Sequence, residues 1–292
     1  MQRAVFAVVT AFGVASMAVA PAAAQSPVPV KVKFAATADG SPVTCASKIA
    51  GVGTTKSTIS LIDFRFYVSR VRLVNADGAE VPVSLTQDGL WQLDDVALLD
   101  FEDGTGGCAN GTAEKRDLIE GTVPAGTYTG LRFDVGLPFE KNHRDPTLQP
   151  SPLNLSRLFW SWNGGYKFMR LDVRTTGQPR GWLVHLGSTA CTPTGSPTTV
   201  PTSCANRNVV TVDLAGFSPD RDVVEMDVPA LFAASNVDIN TDKTPLGCMS
   251  GPGDPECAGL FGQLGLAINA QPAGVQKIFR TTSAATMAAE RR

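Results

Sequence analysis

Two histidines and six cysteines set the limits on chemistry in this 292-residue chain. His143 lies in a polar stretch, Phe139 to Pro146, and His185 in an apolar one, Trp182 to Gly187. Neutral imidazoles suit copper, zinc, iron or nickel. Two of them from separate segments require a third ligand, and no further histidine exists to supply it. Met169 and Met226 carry soft thioethers, but both fall in strand-like runs where methionine usually packs a core. The stretch Leu158 to Phe168 holds Trp160 and Trp162, two of the four tryptophans.

The cysteines are Cys45, Cys108, Cys191, Cys204, Cys248 and Cys257, with no CxxC pair among them, so neither a zinc knuckle nor a thiol oxidoreductase is supported. At the N-terminus, Arg3, the apolar run Ala4 to Ala20 and the small residues Ala22-Ala23-Ala24 read as a secretory leader with a mature start at Gln25. Residues 1–24 are therefore expected to be a signal peptide, and 25–292 to form one domain in the periplasm or outside the cell. An even cysteine count in an exported chain reads as disulfides. Proximity favours Cys191–Cys204 and Cys248–Cys257, which leaves Cys45–Cys108.

Other chemistries find little support. The chain has no GxSxG elbow, phosphate loop, dinucleotide fingerprint or HExxH. The acidic stretches Leu93-Asp94-Asp95 and Asp100 to Gly104 read as solvated turns, without a full calcium-ligand loop. With 25 basic against 27 acidic residues there is no basic stripe for nucleic acid. Beyond the leader, no apolar run is long enough to span a membrane.

The elements that must position these residues are mostly strands. Val30 to Ala36 alternates, with Val30, Val32 and Phe34 on one face. Ile59 to Val74 is a long β-branched and aromatic run whose phase slips between Val68 and Val71, which predicts a bulge or a bend. Asn75 to Gly78 makes a turn, with Val81 to Leu85 returning as a hairpin partner. Further strands are expected at Thr127 to Val135, Tyr166 to Arg174, Trp182 to Leu186, Val209 to Leu214, Val223 to Val228 and Lys277 to Thr282. A helix is expected over Ser151 to Trp162, capped by Ser151 with Pro152 at its first position and Leu155, Leu158, Phe159 and Trp162 as an apolar stripe. On that reading Trp160 falls off the stripe; on an extended reading both tryptophans share a face. A second short helix is expected over Pro255 to Leu264. The fold class is all-β, an antiparallel sandwich or barrel with long disulfide-pinned loops and one or two short helices.

Several segments, in order, resemble the MbnP-like family, exported partners of di-haem cytochrome c peroxidase-like proteins, also described as metallo-mystery pair four-Cys-motif proteins. They are Phe64-Arg65-Phe66-Tyr67-Val68-Ser69, Val96 to Gly104, Gly121 to Tyr128, Asn142-His143-Arg144-Asp145 and Pro152-Leu153-Asn154. Phe159-Trp160-Ser161-Trp162 with Gly164 to Phe168 follows, then His185 to Thr189 with Cys191. The resemblance implies a periplasmic copper protein in which a haem partner oxidises a tryptophan to kynurenine, which then binds copper together with histidines. Carried over to this chain, His143 and His185 are the ligand candidates and Trp160 or Trp162 the modified residue. The helical argument favours Trp160, which the stripe does not need. Tyr166, close in sequence, is a candidate electron relay. The protein would then be the substrate of a haem enzyme rather than an enzyme. The alternative is a non-catalytic envelope or ligand-binding β-sandwich without a metal.

Overall fold

The computed structural model describes residues 1, 4, 26–161, 164–193 and 199–289; the apolar run expected as a leader and Trp162 lie outside the described residues. Two sheets stack face to face. The smaller is ordered Phe279–Ser283, Asp222–Asp227, Pro27–Ala38, Leu118–Pro124, Ser84–Leu85. Its pairs are antiparallel except one: Lys33 to Thr37 run parallel to Val223 to Asp227. The larger sheet is ordered Trp182–Leu186, Met169–Arg174, Ser57–Asn75, Tyr128–Val135, Val210–Ala215.

The Ser57–Asn75 strand organises the larger sheet. Along one edge it pairs first with Met169–Arg174 and then with Tyr128–Val135, while Val96–Asp100 pairs with Arg65 to Ser69 along the other. The phase slip in the sequence is a bulge: Arg132 opposes Arg72 and Asp134 opposes Ser69, so Arg70 and Val71 face one residue, with Arg70 at φ +50°. The slip lets Phe64, Phe66 and Leu73 all reach the interior, where each is fully buried. Phe34 of the smaller sheet meets Phe66 and Phe133 edge-on, with ring centroids 6.4 and 5.5 Å apart, and Phe279 closes the cluster against Phe66 and Phe133.

The expected hairpin return splits between the layers. Glu80–Pro82 pairs with the long strand, whereas Ser84–Leu85 pairs with Leu118–Pro124 in the other sheet. Val96–Asp100 was not expected as a strand, because it is buried throughout and so carries no alternation to read. The helix expected over Ser151 to Trp162 does not form. The Ser151–Pro152 peptide is cis, a single 3-10 turn covers Ser156–Leu158, and Phe159–Ser161 then runs extended against Gly165–Tyr166. The apolar spacing there marks residues that bury in turns and a hairpin rather than one helical face: Leu153 and Leu158 are buried without a shared helix. The other expected helix is present as Cys257–Leu264.

Three disulfides pin the loops: Cys45–Cys108, Cys191–Cys204 and Cys248–Cys257. The second joins residues directly opposite each other in the hairpin formed by Thr189–Thr192 and Ser203–Asn206. Among the described residues, no helix is long and apolar enough to cross a membrane.

Candidate metal centre

His143 ends the short helix Phe139–Asn142 that follows the Tyr128–Val135 strand, and it is buried. Its ring packs against Phe139, and its Nε2 lies 3.2 Å from Nδ2 of Asn142. The orientation of that amide is fixed from behind, because the Tyr166 backbone N–H donates to Asn142 Oδ1 at 2.8 Å. Asn142 therefore turns its NH2 group to the imidazole, and Nε2 accepts. The same nitrogen faces the disulfide, 3.4 Å from Cys204 Sγ and 4.0 Å from Cys191 Sγ.

Those three residues bring their donor atoms within 4.8 Å of one another. They do not make a thiolate site, because the two sulfurs are bonded to each other and the thiolate, not the disulfide, is the effective metal ligand. The disulfide serves as a wall against His143.

His185 sits on the Trp182–Leu186 strand, directly opposite Arg170, which is itself opposite Arg65, which is opposite Asp100. One register row thus carries imidazole, guanidinium, guanidinium and carboxyl across four strands. Asp172 and Asp63, opposite each other in the neighbouring row, bridge these cations. Arg170 Nε donates to Asp172 Oδ2 at 2.7 Å and its NH1 reaches Asp63 at 3.0 Å, while Arg65 donates to both oxygens of Asp63. His185 Nε2 lies 3.0 Å from Asp172 Oδ1, an approach whose angle falls short of hydrogen-bond geometry, and neither atom has a hydrogen-bond partner among the described residues. Burial works to raise the Asp172 carboxyl, but His185 and Arg170 outweigh it and hold it below the usual carboxylate range.

The far end of the row corrects one sequence expectation. Asp100 and Glu102 are buried rather than solvated. Burial pushes the Asp100 carboxyl up to about 8 and raises Glu102, against the pull of Arg65 on both. Asp103 instead closes its own turn by accepting from Thr105.

Trp160 is the described tryptophan that meets a histidine. Its half-buried indole lies with its centroid 6.4 Å from that of His185. It also lines an open cavity of about 340 Å³ shared with Thr189, Cys191 and Met249. Met249 is carried there by the segment after Cys248, which extends the sheet: His185 N–H donates to Cys248 O, and Ser250 Oγ donates to His185 O. Sequence reading overlooked Met249 and Asp172. Asp172 had a readable signal, an acid in an apolar strand two residues from a basic one; Met249 had none, since its place depends on a loop joining a distant strand.

The remaining candidates fall elsewhere. Tyr166 is fully buried between Phe159 and Tyr67, with its hydroxyl donating to the Leu153 carbonyl. Met169 and Met226 are core residues. His143 and Trp160 share neighbours: Asn142 ties the His143 turn to the Trp160 hairpin, and Cys191 touches the imidazole and also lines the cavity.

The family model for MbnP matches residues 27–250. Among solved structures the chain is similar to MbnP from Methylosinus trichosporium, at 34% identity and a TM-score of 0.80 over 89% of this chain and 99% of that one. No curated protein matches.

Proposed function

The chain belongs to the MbnP family, and from that premise we propose that it is a periplasmic copper-binding protein rather than an enzyme. Its site is built from His143, His185 and a kynurenine derived from Trp160. A di-haem peroxidase-like partner makes the kynurenine, and the loaded protein stores, presents or delivers copper.

The observation that carries the reading is the placement of Trp160: against His185 on one side, and on an open cavity bounded by the disulfide that contacts His143 on the other. The donor set fits the metal. Two imidazoles alone make a modest copper site, and opening the indole ring adds an aryl amine and a ketone as further donors. Cleavage of the indole C2–C3 bond would take one oxygen atom from each of two hydrogen peroxide equivalents, which the haem partner would activate, with release of two waters, and hydrolysis of the resulting formamide by a further water would release formate. His185 and His143 would hold the metal through their lone-pair nitrogens. The half-buried indole gives an oxidant direct access.

Mass spectrometry of the Leu158 to Lys167 peptide, from protein made with its haem partner, is the test. The reading expects one carbon lost and one oxygen gained at Trp160, and copper bound in proportion to the converted fraction. Unconverted peptide together with no bound copper overturns it.

A further inference from the structure

We propose that Asp172 positions His185 by holding its Nε2–H, so that the metal is taken by Nδ1, and that the Arg170–Asp63–Arg65 row keeps Asp172 in place. This rests on the copper reading and goes beyond it by assigning the donor atom and a residue that touches no metal.

The geometry leaves few alternatives. His185 Nε2 and Asp172 Oδ1 are buried and 3.0 Å apart, off the angle of a hydrogen bond, and neither has a hydrogen-bond partner among the described residues, so the two atoms have only each other to answer. A carboxylate already bonded by Arg170 at its other oxygen can only accept. The contact is favourable only when Nε2 carries the hydrogen. A neutral imidazole so held has its lone pair on Nδ1. Metal-binding histidines commonly donate their second nitrogen to a carboxylate, which fixes tautomer and ring orientation and strengthens the donor.

Asp172 is in turn held by strands rather than by solvent. Arg170 bridges it to Asp63 on the adjacent strand, and Arg65, two residues along that same strand, grips Asp63, with Glu102 3.8 Å from the Arg65 NH1. Asp172 and Asp63 face each other in register. Rotating the Asp172 carboxylate would break its bond to Arg170, which the sheet holds in place. The two histidines therefore differ. His185 is oriented by an ionised carboxylate, while His143 offers Nε2, which an amide and a disulfide now face.

The test compares wild type, Asp172→Asn and the surface control Asp213→Asn, each made with the haem partner. Three readouts are used: Cu(I) affinity by competition with a chromophoric chelator, imidazole tautomers by ¹⁵N NMR of the metal-free protein, and conversion of Trp160 by mass spectrometry. The expected result is His185 as the Nε2–H tautomer in wild type. Cu(I) binding should be about 10- to 100-fold weaker in Asp172→Asn, with Trp160 converted as in wild type and Asp213→Asn unchanged. Wild-type His185 in the Nδ1–H tautomer overturns the proposal without recourse to any variant. So does undiminished Cu(I) affinity in Asp172→Asn, and in that case the copper reading survives. A converted wild-type protein that binds no copper overturns both.

Discussion

Gly187 makes room for the indole of Trp160: a Cβ at residue 187 would fall 2.6 Å from Trp160 Cζ3 and 2.7 Å from the Tyr166 carbonyl oxygen. The backbone after the His185 strand is thus in contact with the ring proposed for modification. Gly187→Ala must push the indole aside or open the hairpin. The expected outcome is a loss of about 1–3 kcal/mol in stability, read by urea unfolding, and slower conversion of Trp160 at equal haem-partner concentration. Wild-type conversion in a variant destabilised by that amount would show that the packing against Gly187 does not set the ring's position.

The disulfide beside His143 makes a different prediction. Since the sulfurs of Cys191 and Cys204 are bonded to each other, copper loading should expose no thiol, and alkylation before and after loading should label neither cysteine. The double variant Cys191→Ser with Cys204→Ser, which frees a loop spanning 13 residues, should lose about 3 kcal/mol of stability. Because its hydroxyls leave the wall of the cavity in place but free to move, Cu(I) affinity should fall rather than vanish. Labelling of either cysteine on copper loading would point to a thiolate site.

Much of the β architecture was legible because half-buried strands announce themselves by alternation, as Val30, Val32 and Phe34 do, and the bulge at Arg70 by a slip in that alternation. Val96–Asp100 escaped because a strand buried on both faces has no alternation. Ser151 to Trp162 misled because Leu155, Leu158 and Phe159 fit a helical stripe, yet Phe159 is drawn into pairing with Tyr166, and tertiary pairing overrides local period. Of the proposed site, scarcity and resemblance single out His143 and His185 and leave Trp160 or Trp162 as the ring, and the helical argument for Trp160 falls with the helix. Asp172, Gly187 and Met249 were not legible, since each gains its role from a contact across strands or loops.

Burial of Asp100 gives the protein's stability a pH dependence of defined sign. Its carboxyl titrates near 8 in the fold against 3.8 for an ordinary aspartate. The folded state keeps a proton that the unfolded chain releases, so this contribution is complete below about pH 4 and declines as pH rises toward 8. Asp238 acts in the opposite sense. Burial works to raise its carboxyl, but bonds from Thr55, the Gly177 N–H and Ser57 outweigh it and bring it to about 2. Its contribution is present above about pH 4 and is lost as pH falls through 2. Urea unfolding between pH 5 and 9 should show a fall in wild type that Asp100→Asn flattens, since the amide keeps an acceptor for the Glu102 N–H. A slope unchanged by Asp100→Asn would mean that another group carries the proton.

The route of oxidation can be separated from the fold at Tyr166. That ring has no exposed edge, burial raises its phenol, and its hydroxyl is committed to the Leu153 carbonyl. Trp160 meets the open cavity directly, so an oxidant need not pass through Tyr166 to reach the indole. Tyr166→Phe should therefore cost about 0.5–1.5 kcal/mol for the lost hydrogen bond and leave the rate of Trp160 conversion unchanged. Trp160→Phe should abolish conversion at that position and with it copper binding, at intact fold by circular dichroism. If Tyr166→Phe instead slows conversion tenfold while the protein remains folded, electrons leave Trp160 through the interior, and Tyr67, whose ring centroid lies 5.9 Å from that of Tyr166, becomes the next residue to substitute.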